Sequence, residues 1–394
     1  MNTIYKNYLY VFLISTLIIF ILVISTNRLI DPYSFFYEPT KQEFNFLKPY
    51  IPTTRAKALA ILKIRPKTII LGSSRTESGV DPNHALWDLQ PVFNAAFGGA
   101  DIYDSFYFLK HANSTGELKK AVIMVDFFMF NAQRKMYKEE NYEFLELIEK
   151  QSELFKFETL KYLISLQTIG DSFKTLMNKD LTNELNVDYG LRKVPQVTFP
   201  YSKFISTESA FYKVHYHNFK TQNSYQDNQK AFEWIIDFSI ENNIDLSIGI
   251  SPIHARLLEV LYLKGHQEEF ENWKRNMIQV VELKKGRNLQ HKINIYDFSG
   301  FNTFTSEAIP NKENKEDLQT NMEWYLEPSH YKKRLGNEII ERLLTEEDSS
   351  KNSFGIKLSK DNIEEHLVKI QKERELWKNN FPQYSKEIYA LKQH

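Results

Sequence analysis

The stretch of sequence that decides the fold is Thr68-Ile69-Ile70-Leu71-Gly72-Ser73-Ser74-Arg75. Its first four residues are β-branched or apolar and follow Pro66, which is typical of a short buried strand. Gly72 allows a sharp turn directly after that strand, where two serines follow. In an open parallel sheet, ligands bind outside the carboxyl ends of the strands. The stretch therefore predicts a strand that presents serine hydroxyls to a cleft, or else a turn whose serines only cap a helix.

Similar apolar runs recur along the chain and alternate with segments of helical periodicity. Strands are expected at four further places, Pro91–Ala95, Ala121–Val125, Asp245–Ile250 and Lys292–Phe298. Helices are expected at Asp101–His111, Gln226–Asn242, His266–Lys284 and Lys332–Leu344. Strands that alternate with helices form βαβ units around a parallel sheet. The chain is therefore predicted to have an α/β fold with a central parallel sheet.

The composition excludes several classes of protein. The 394 residues are 42% hydrophobic and 25% charged, which is ordinary for a globular chain and excludes disorder over most of it. Lys plus Arg and Asp plus Glu each number 50, so the net charge does not indicate nucleic acid as a partner. The absence of cysteine excludes disulfides, thiol catalysis and cysteine metal sites.

The N-terminal segment is apolar over the length that crosses a membrane. No charged residue lies between Lys6 and Arg28, and Leu, Ile, Val and Phe dominate Tyr8–Thr26. At about 1.5 Å per residue this run extends roughly 30 Å, the thickness of a bilayer core. A cleaved signal peptide is the alternative, but no small-x-small cleavage site follows before Asn27. We expect an uncleaved transmembrane anchor, and Lys6 on its N-terminal side places the main domain outside the cytoplasm.

The rest of the chain divides by changes in its pattern. A segment rich in Glu, Lys, Phe and Tyr interrupts the alternation of strands and helices, and is expected to form a helical insertion over the carboxyl edge of the sheet, with helices at Glu140–Glu153 and Phe157–Met177. The predicted parts are residues 1–27 (membrane anchor), 28–66 (membrane-proximal connector with a helix over Arg55–Ile64), 67–344 (α/β domain with the insertion at about 138–222) and 345–394 (polar linker and charged helix). The charged helix, Asp361–Lys378, has Ile363, Leu367, Ile370 and Leu376 at core-like spacing, which predicts that it packs on the domain.

A serine at the end of the first strand would need a base and an acid to become a nucleophile. His330 is the best candidate base, because it follows the last loop of the α/β pattern and precedes its final helix. Glu327 lies three residues earlier, so its carboxylate could reach the other nitrogen of the imidazole. The alternative is that Glu-x-x-His is a helix cap with a surface histidine.

Three blocks of this chain resemble the SGNH (GDSL-like) hydrolases and acyltransferases. Gly72-Ser73-Ser74 is similar to the family's Gly-Asp-Ser block, with Ser73 in the place of the aspartate. Asn94-Ala95-Ala96-Phe97-Gly98-Gly99 is similar to the second block, which carries an oxyanion glycine. Glu327-Pro328-Ser329-His330 is similar to the Asp-x-x-His block, with glutamate for aspartate. The resemblance covers the sheet-forming parts of about Lys67 to Leu344.

The resemblance implies a three-layer α/β/α fold of the SGNH or flavodoxin-like kind, with Ser74 as nucleophile, His330 as base and Glu327 as orienting acid. The amides of Ser74 and of Gly99, or of Gly98 in its place, would bind the oxyanion. The third block departs from the family, because Asp126 ends the third strand and the nearest asparagine is Asn131. Either Asn131 supplies the third donor, or two backbone donors suffice, or catalysis is weakened.

Two further residues are candidates for substrate binding. Arg75 could hold an anionic group of a substrate, or it could pair with Asp126 or Glu77 within the fold, as suits a guanidinium near a buried carboxylate. His254 follows the fourth strand and could face the cleft, or it could cap the helix after it. His215 and His217 alternate in an aromatic stretch, but no third ligand is evident near them, so we predict no metal site and no cofactor.

Membrane-anchored proteins with a Gly-Ser-Ser-Arg block resemble cell-envelope proteins associated with O-acylation of polysaccharides. This implies a serine-dependent O-acyl transferase or esterase, with acetyl as the expected acyl group, acting on an envelope glycan outside a bacterial-type cytoplasmic membrane. The alternative is a catalytically weakened protein that binds glycan or scaffolds a membrane acyltransferase. A multi-pass acyltransferase is a further possible partner, beside the glycan or acyl donor and the membrane itself.

Overall fold

The computed structural model describes residues 3–32, 36, 54–132, 145, 153–177, 188–192, 200–217, 219–220, 227–287, 291–310, 322–345 and 354–393. The strands of these residues are β1 Thr68–Leu71, β2 Val92–Asn94, β3 Lys120–Val125, β4 Asp245–Ile250, β5 Ile293–Asp297, β6 Tyr325–Glu327, β7 His330–Tyr331 and β8 Ile356–Lys357. The helices are α1 Thr3–Ile30, α2 Thr54–Ile64, α3 Ser74–Gly79, α4 Ile102–Asn113, α5 Glu153–Ile164, α6 Leu166–Met177, α7 Pro200–Ala210, α8 Asn228–Glu241, α9 Ala255–Leu263, α10 Gln267–Arg287, α11 Lys333–Leu344, α12 Ile363–Asn380 and α13 Pro382–Ala390.

The main sheet has six strands in the order β2-β1-β3-β4-β5-β8. The pairs from β2 to β5 are all parallel, and only the edge strand β8 runs antiparallel to its neighbour. This confirms the predicted α/β class with a mostly parallel central sheet. Strands β2 and β3 lie on opposite sides of β1, so the strand order reverses between β1 and β3. An open α/β sheet has its ligand-binding crevice at such a point.

The strands are buried on both faces, which explains why they read as continuous apolar runs. Ile69 and Leu71 of β1 join one apolar core with α2, α4, α8 and α10, whereas Ile70 joins a second core with α11. Alternate residues of a strand point to opposite faces, so one short run serves both cores. The helices therefore cover the sheet from two sides, in three layers.

The predicted strands agree with the structure more closely than the helical insertion does. The expected bounds of β1 and β4 are the observed ones. The single helix expected over Phe157–Met177 is instead two, α5 and α6, which meet at Ser165. Both pack on α1 rather than over the sheet edge, and in the described part of the insertion it is α7 that packs beside β6. The helix expected at Glu140–Glu153 lies almost entirely outside the described residues.

The C-terminal residues, which were expected to form a linker and a packed helix, also contribute a strand to the main sheet. Within the predicted linker, β8 pairs with β5 and extends the main sheet. Helix α12 buries Ile363, Leu367 and Ile370 in the core as expected, but Leu376 is 62% exposed. Trp377 is buried in its place, because at 100° per residue it lies closer to the stripe defined by the first three.

Helix α1 contains the apolar N-terminal segment. It has 28 residues and is therefore about 42 Å long. Among the described residues it is the one helix long and apolar enough to cross a membrane, over Ile4–Ile30. The apolar N-terminal segment is thus a continuous helix that extends a few residues beyond the predicted end at Asn27.

Candidate active site

Three of the predicted catalytic residues lie next to one another at the carboxyl end of the sheet. Ser74 is the first residue of α3, directly after β1, while Glu327 ends β6 and His330 begins β7. The Ser74 hydroxyl donates a hydrogen bond to His330 Nε2 at 2.7 Å. His330 Nδ1 in turn bonds to Glu327 Oε1. The series hydroxyl, imidazole, carboxylate is the arrangement by which a histidine base can activate a serine.

Burial differs along this series in a way that suits a reaction at the serine. The Glu327 side chain is 8% exposed, whereas that of His330 is 29% exposed and Ser74 is half-buried. Burial raises the pKa of Glu327, but the hydrogen bond and charge of His330, the Ser329 amide and Arg75 together lower it below its ordinary value. The acid is therefore held ionised beneath an imidazole that solvent and substrate can reach.

The turn that carries Glu327 and His330 is held at several points. The Ser329 amide donates to Glu327 Oε2 at 3.0 Å, so the carboxylate bonds to its own turn as well as to the histidine. The His254 amide donates to the Pro328 carbonyl at 3.0 Å. Arg75 Nε donates to the Ser329 carbonyl at 2.9 Å. The turn is thus tied to the first turn of α3 and to the start of α9, which fixes the imidazole relative to Ser74.

Arg75 lies within the fold, in the structural alternative that the sequence left open. Its Nη1 pairs with Asp126 Oδ1, and its Nε and Nη2 bond to Ser329. The neighbouring Ser73 also donates its hydroxyl to Asp126 and accepts from the Arg75 amide, so it caps α3. Arg75 is only 6% exposed, and its bonds link the ends of β1 and β3 to the Glu327 turn.

His254 is buried and caps α9, which is the second of the two roles that the sequence left open. The ring is fully buried between Phe204 and Tyr325. Its Nδ1 accepts from the Arg256 amide at 3.3 Å and its Nε2 donates to the Glu307 carbonyl at 2.8 Å. Burial lowers the pKa of His254 to about 3. It is the neutral N-cap of α9, and what it contributes to the site is the backbone bond to the Glu327 turn.

The predicted oxyanion residues occupy different surroundings. Gly98 and Gly99 are exposed on the loop after β2, and Gly99 has a φ of 77°. The Phe97 amide donates to the Gly72 carbonyl at 3.3 Å, which holds this loop against the end of β1. Asn131 is buried, and its side-chain oxygen accepts from the Lys220 amide at 3.3 Å. The structure thus brings the glycine loop to the serine turn and places the Asn131 oxygen against a different segment.

A buried lysine that binds the backbone of the loop after β2 was not expected from the sequence. The Lys57 ammonium of α2 pairs with Glu77 at 3.1 Å and donates to the carbonyls of Asn94, Ala96 and Gly190. Burial lowers the pKa of Lys57, while the Glu77 charge opposes that shift. The only signal in the sequence is a lysine in the otherwise apolar run Ala56–Leu62.

Asn94, at the end of β2, joins the loop after β2 to α3. Its side-chain amide donates to the carbonyls of Thr76 at 2.9 Å and Val80 at 2.8 Å, and its oxygen accepts from the Ala96 amide at 3.1 Å. These bonds satisfy buried backbone groups at the end of α3. The loop after β2 is consequently built onto the helix that carries the serine.

Gly72 is required at the turn before the serines. Its φ is 150°, and an added Cβ would lie 2.3 Å from Thr76 Oγ1 and 2.8 Å from the Met124 carbonyl oxygen. Backbone of β3 thus passes too close for any side chain at this position. The glycine lets the chain turn tightly, so that Ser74 rather than a core residue occupies the sheet edge.

Among the described residues, no group of three His, Asp or Glu side chains is arranged to hold a metal ion. His215, one of the two histidines considered for that role, packs its ring edge-on against Phe128. No protein-family model and no curated protein matches this chain. The geometry and the three motif blocks are therefore the grounds on which a function is proposed.

Proposed function

We propose that this protein is a serine-dependent O-acyl transferase or esterase of the SGNH-like kind that acts on a cell-envelope polysaccharide. The observation that carries the proposal is the hydrogen-bonded series from the half-buried Ser74 hydroxyl through His330 to the buried Glu327. A serine bonded to a histidine at 2.7 Å, whose other nitrogen bonds to a carboxylate, is the minimal apparatus for covalent acyl transfer.

In the proposed reaction, Ser74 Oγ attacks the acyl carbon of an ester while His330 Nε2 takes its proton. Glu327 stabilises the imidazolium that forms and keeps it in position. The amides of Ser74 and Gly99 bind the oxyanion of the tetrahedral intermediate. His330 then returns the proton to the leaving alcohol, and an acyl-serine remains. Water or a glycan hydroxyl, deprotonated by His330, attacks this ester and restores Ser74, which gives hydrolysis or transfer respectively.

The envelope location rests on the N-terminal helix and on the resemblance. Helix α1 supports anchoring in a membrane, and the lone Lys6 before the apolar run supports an orientation with the main domain outside the cytoplasm. Membrane-anchored chains with a Gly-Ser-Ser-Arg block resemble proteins of polysaccharide O-acylation. We therefore propose a bacterial-type cytoplasmic membrane as the site, an acetyl donor as first substrate and an envelope glycan as acceptor, with a multi-pass acyltransferase as a further candidate partner.

The test uses the full chain in detergent with an activated acetyl ester and a fluorophosphonate probe. We expect covalent labelling of the wild type and measurable ester turnover. Ser74→Ala should abolish the label and reduce turnover by about 10³-fold or more. Ser206, an exposed serine of α7, offers a control, since Ser206→Ala should change neither quantity. Wild-type turnover by Ser74→Ala would refute the assignment of the nucleophile.

A second function is favoured by one feature of the site, the acidic residue at the end of β3. Asp126 stands where the family's third block has its asparagine, and the Asn131 oxygen is bonded to the Lys220 backbone. Losing one oxyanion donor typically costs about 100- to 1,000-fold in turnover. A catalytically weakened protein that binds glycan or scaffolds an acyltransferase would show no fluorophosphonate label, and its glycan binding would survive Ser74→Ala and His330→Ala.

A further inference from the structure

Two helices, α5 and α6, pack on α1, and α6 has its polarity reversed relative to surface helices of a water-soluble domain. A surface helix normally turns its apolar stripe toward the core. In α6 the small polar residues Thr168, Ser172 and Thr175 are the buried ones. Leu163 and Ile169 are half-buried, but seven other large apolar side chains of the pair are exposed by 37% to 79%: Phe157, Leu160, Ile164, Leu166, Phe173, Leu176 and Met177.

The buried polar side of this pair is bonded to α1. Asn27 is completely buried and donates to the carbonyls of Leu163 at 2.8 Å and Ser165 at 3.3 Å. Ser172 donates its hydroxyl to Asn27 Oδ1 at 3.2 Å. Small and hydrogen-bonding residues at helix contacts, with apolar residues facing outward, are typical of helices packed within a membrane.

The contact reaches into the part of α1 that is apolar enough to span a membrane. Val23 and Ile24 of α1 are partly covered, and Asn27 and Ile30 are buried, whereas α1 is almost wholly exposed before Val23. Val23 lies about 10 Å along the helix axis from Ile30. Since the same window of α1 is expected to lie in lipid, the exposed apolar side chains of α5 and α6 lie at the depth of its C-terminal end.

Helix α6 is suited to the membrane interface rather than to a second span. Its 12 residues extend about 18 Å, short of the roughly 30 Å of a bilayer core. Lys174 is exposed on the flank between the apolar and the buried sides, where it pairs with Asp171 at 2.7 Å. A lysine in that position can extend its ammonium to water while the apolar side stays in lipid.

We propose that α5 and α6 lie in the leaflet at the C-terminal end of α1, with their exposed apolar side chains in lipid. The protein then binds the bilayer through three helices rather than through one. The occupant is lipid because α5 and α6 pack on the apolar helix that is itself expected to lie in lipid. The inference is independent of the proposed reaction, but it requires that α1 spans the membrane.

The absence of cysteine allows a direct test in the full chain, reconstituted into phosphatidylcholine vesicles. Single cysteines at Phe173→Cys and Leu176→Cys are labelled with a polarity-sensitive fluorophore, and quenching by lipids with a nitroxide on the acyl chain is measured. The controls are Ile18→Cys in the middle of α1 and Val368→Cys on α12, which is also an exposed apolar residue.

We expect strong quenching at positions 18, 173 and 176 and none at position 368. Quenching at position 18 with none at positions 173 and 176 would overturn the proposal while leaving α1 as a span, and would assign the apolar face to a protein partner instead. No quenching at position 18 would overturn it together with the span. Neither result bears on Ser74, whose test is labelling by fluorophosphonate.

Discussion

Two clusters of serine, histidine and carboxylate in the described part of the molecule differ in what the serine does. The first is Ser74, His330 and Glu327 at the end of β1. The second consists of Asp297, which ends β5, Ser299 shortly after it, His366 of α12 and Lys274 of α10. In the first cluster the serine donates to the imidazole at 2.7 Å, whereas in the second Ser299 donates to the carboxylate at 2.7 Å.

In the second cluster the serine donates to the carboxylate and the histidine bonds to the same carboxylate, so the imidazole does not serve as a base for the serine. Asp297 Oδ2 accepts from Lys274 at 2.7 Å and from His366 Nε2 at 2.9 Å. Its other oxygen accepts from the hydroxyl and the amide of Ser299. The cluster is also sealed, since the side chain of Lys274 is 1% exposed and that of His366 is 8% exposed. It joins α10, β5 and α12, which makes it a structural cross-link of the C-terminal region.

The comparison teaches that residue types do not define a nucleophile. A serine becomes reactive when its proton can pass to a base that substrate can approach. The Ser74 cluster meets both conditions because the imidazole lies between hydroxyl and carboxylate and is partly exposed. In the Ser299 cluster the carboxylate lies in the centre and is buried, so the same groups stabilise the fold.

The largest expected difference between the clusters concerns the two histidines. His330→Ala should reduce ester turnover by about 10³-fold or more, because Ser74 loses its base. His366→Ala should leave turnover per folded molecule unchanged within about twofold, and it should lower the free energy of unfolding by about 1–3 kcal/mol because Asp297 loses a buried partner. Turnover is measured with the activated ester, and stability by denaturant titration in detergent. Equal losses of turnover in the two variants would contradict the distinction.

Substitutions of the two carboxylates should also have different effects, with the larger loss of stability in the second cluster and the larger loss of turnover in the first. Asp297→Asn leaves the buried Lys274 ammonium without its counter-charge, which should cost about 3–5 kcal/mol of unfolding free energy. Glu327→Gln should mainly reduce turnover, because the amide no longer holds the imidazolium. Both variants are compared in the same denaturant and ester assays. An Asp297→Asn protein as stable as the wild type would show that the second cluster is not a cross-link.

Replacing each serine by alanine should also distinguish the two clusters, with a smaller loss of stability than Asp297→Asn. Ser299→Ala should cost about 1 kcal/mol of unfolding free energy, since Asp297 keeps its other partners, and turnover should stay at the wild-type value. Ser74→Ala should show the reverse, with normal stability and lost turnover. Loss of ester turnover in folded Ser299→Ala would place the second cluster in the reaction.

The smallest effect is the pH dependence of the second cluster. Burial raises the pKa of Asp297, but Lys274 and His366 together hold it well below its ordinary value of 3.8. The stabilisation from this carboxylate is therefore present above about pH 4 and is lost as the pH falls below that value, by about 1 kcal/mol at pH 3. In denaturant titrations, the stability difference between the wild type and Asp297→Asn should shrink over this range. A difference that stays constant down to pH 3 would contradict the depressed pKa.

Much of the fold could be predicted because buried parallel strands have a strong local signature. The apolar runs at β1 and β4 have the expected bounds, and α11 begins one residue from its expected start. The edge strand β8 could not be predicted, since its two residues carry almost no periodic signal. The sequence pattern placed Leu376 in the core instead of Trp377. These consecutive residues point about 100° apart on α12, and only Trp377 lies close to the buried stripe of Ile363, Leu367 and Ile370.

The amino-acid sequence alone supplies the chemistry available to this protein: a glycine turn with two serines after a buried strand, a Glu-x-x-His turn before α11, and an apolar N-terminal segment. Only the tertiary structure decided how these groups are used. It placed Ser74 on the imidazole and Ser73 on Asp126, turned Arg75 inward and buried His254. The physical reason is that hydrogen-bond partners come from residues far apart in the chain, such as Ser74 and His330, and their distance and burial follow from the packing of the whole sheet.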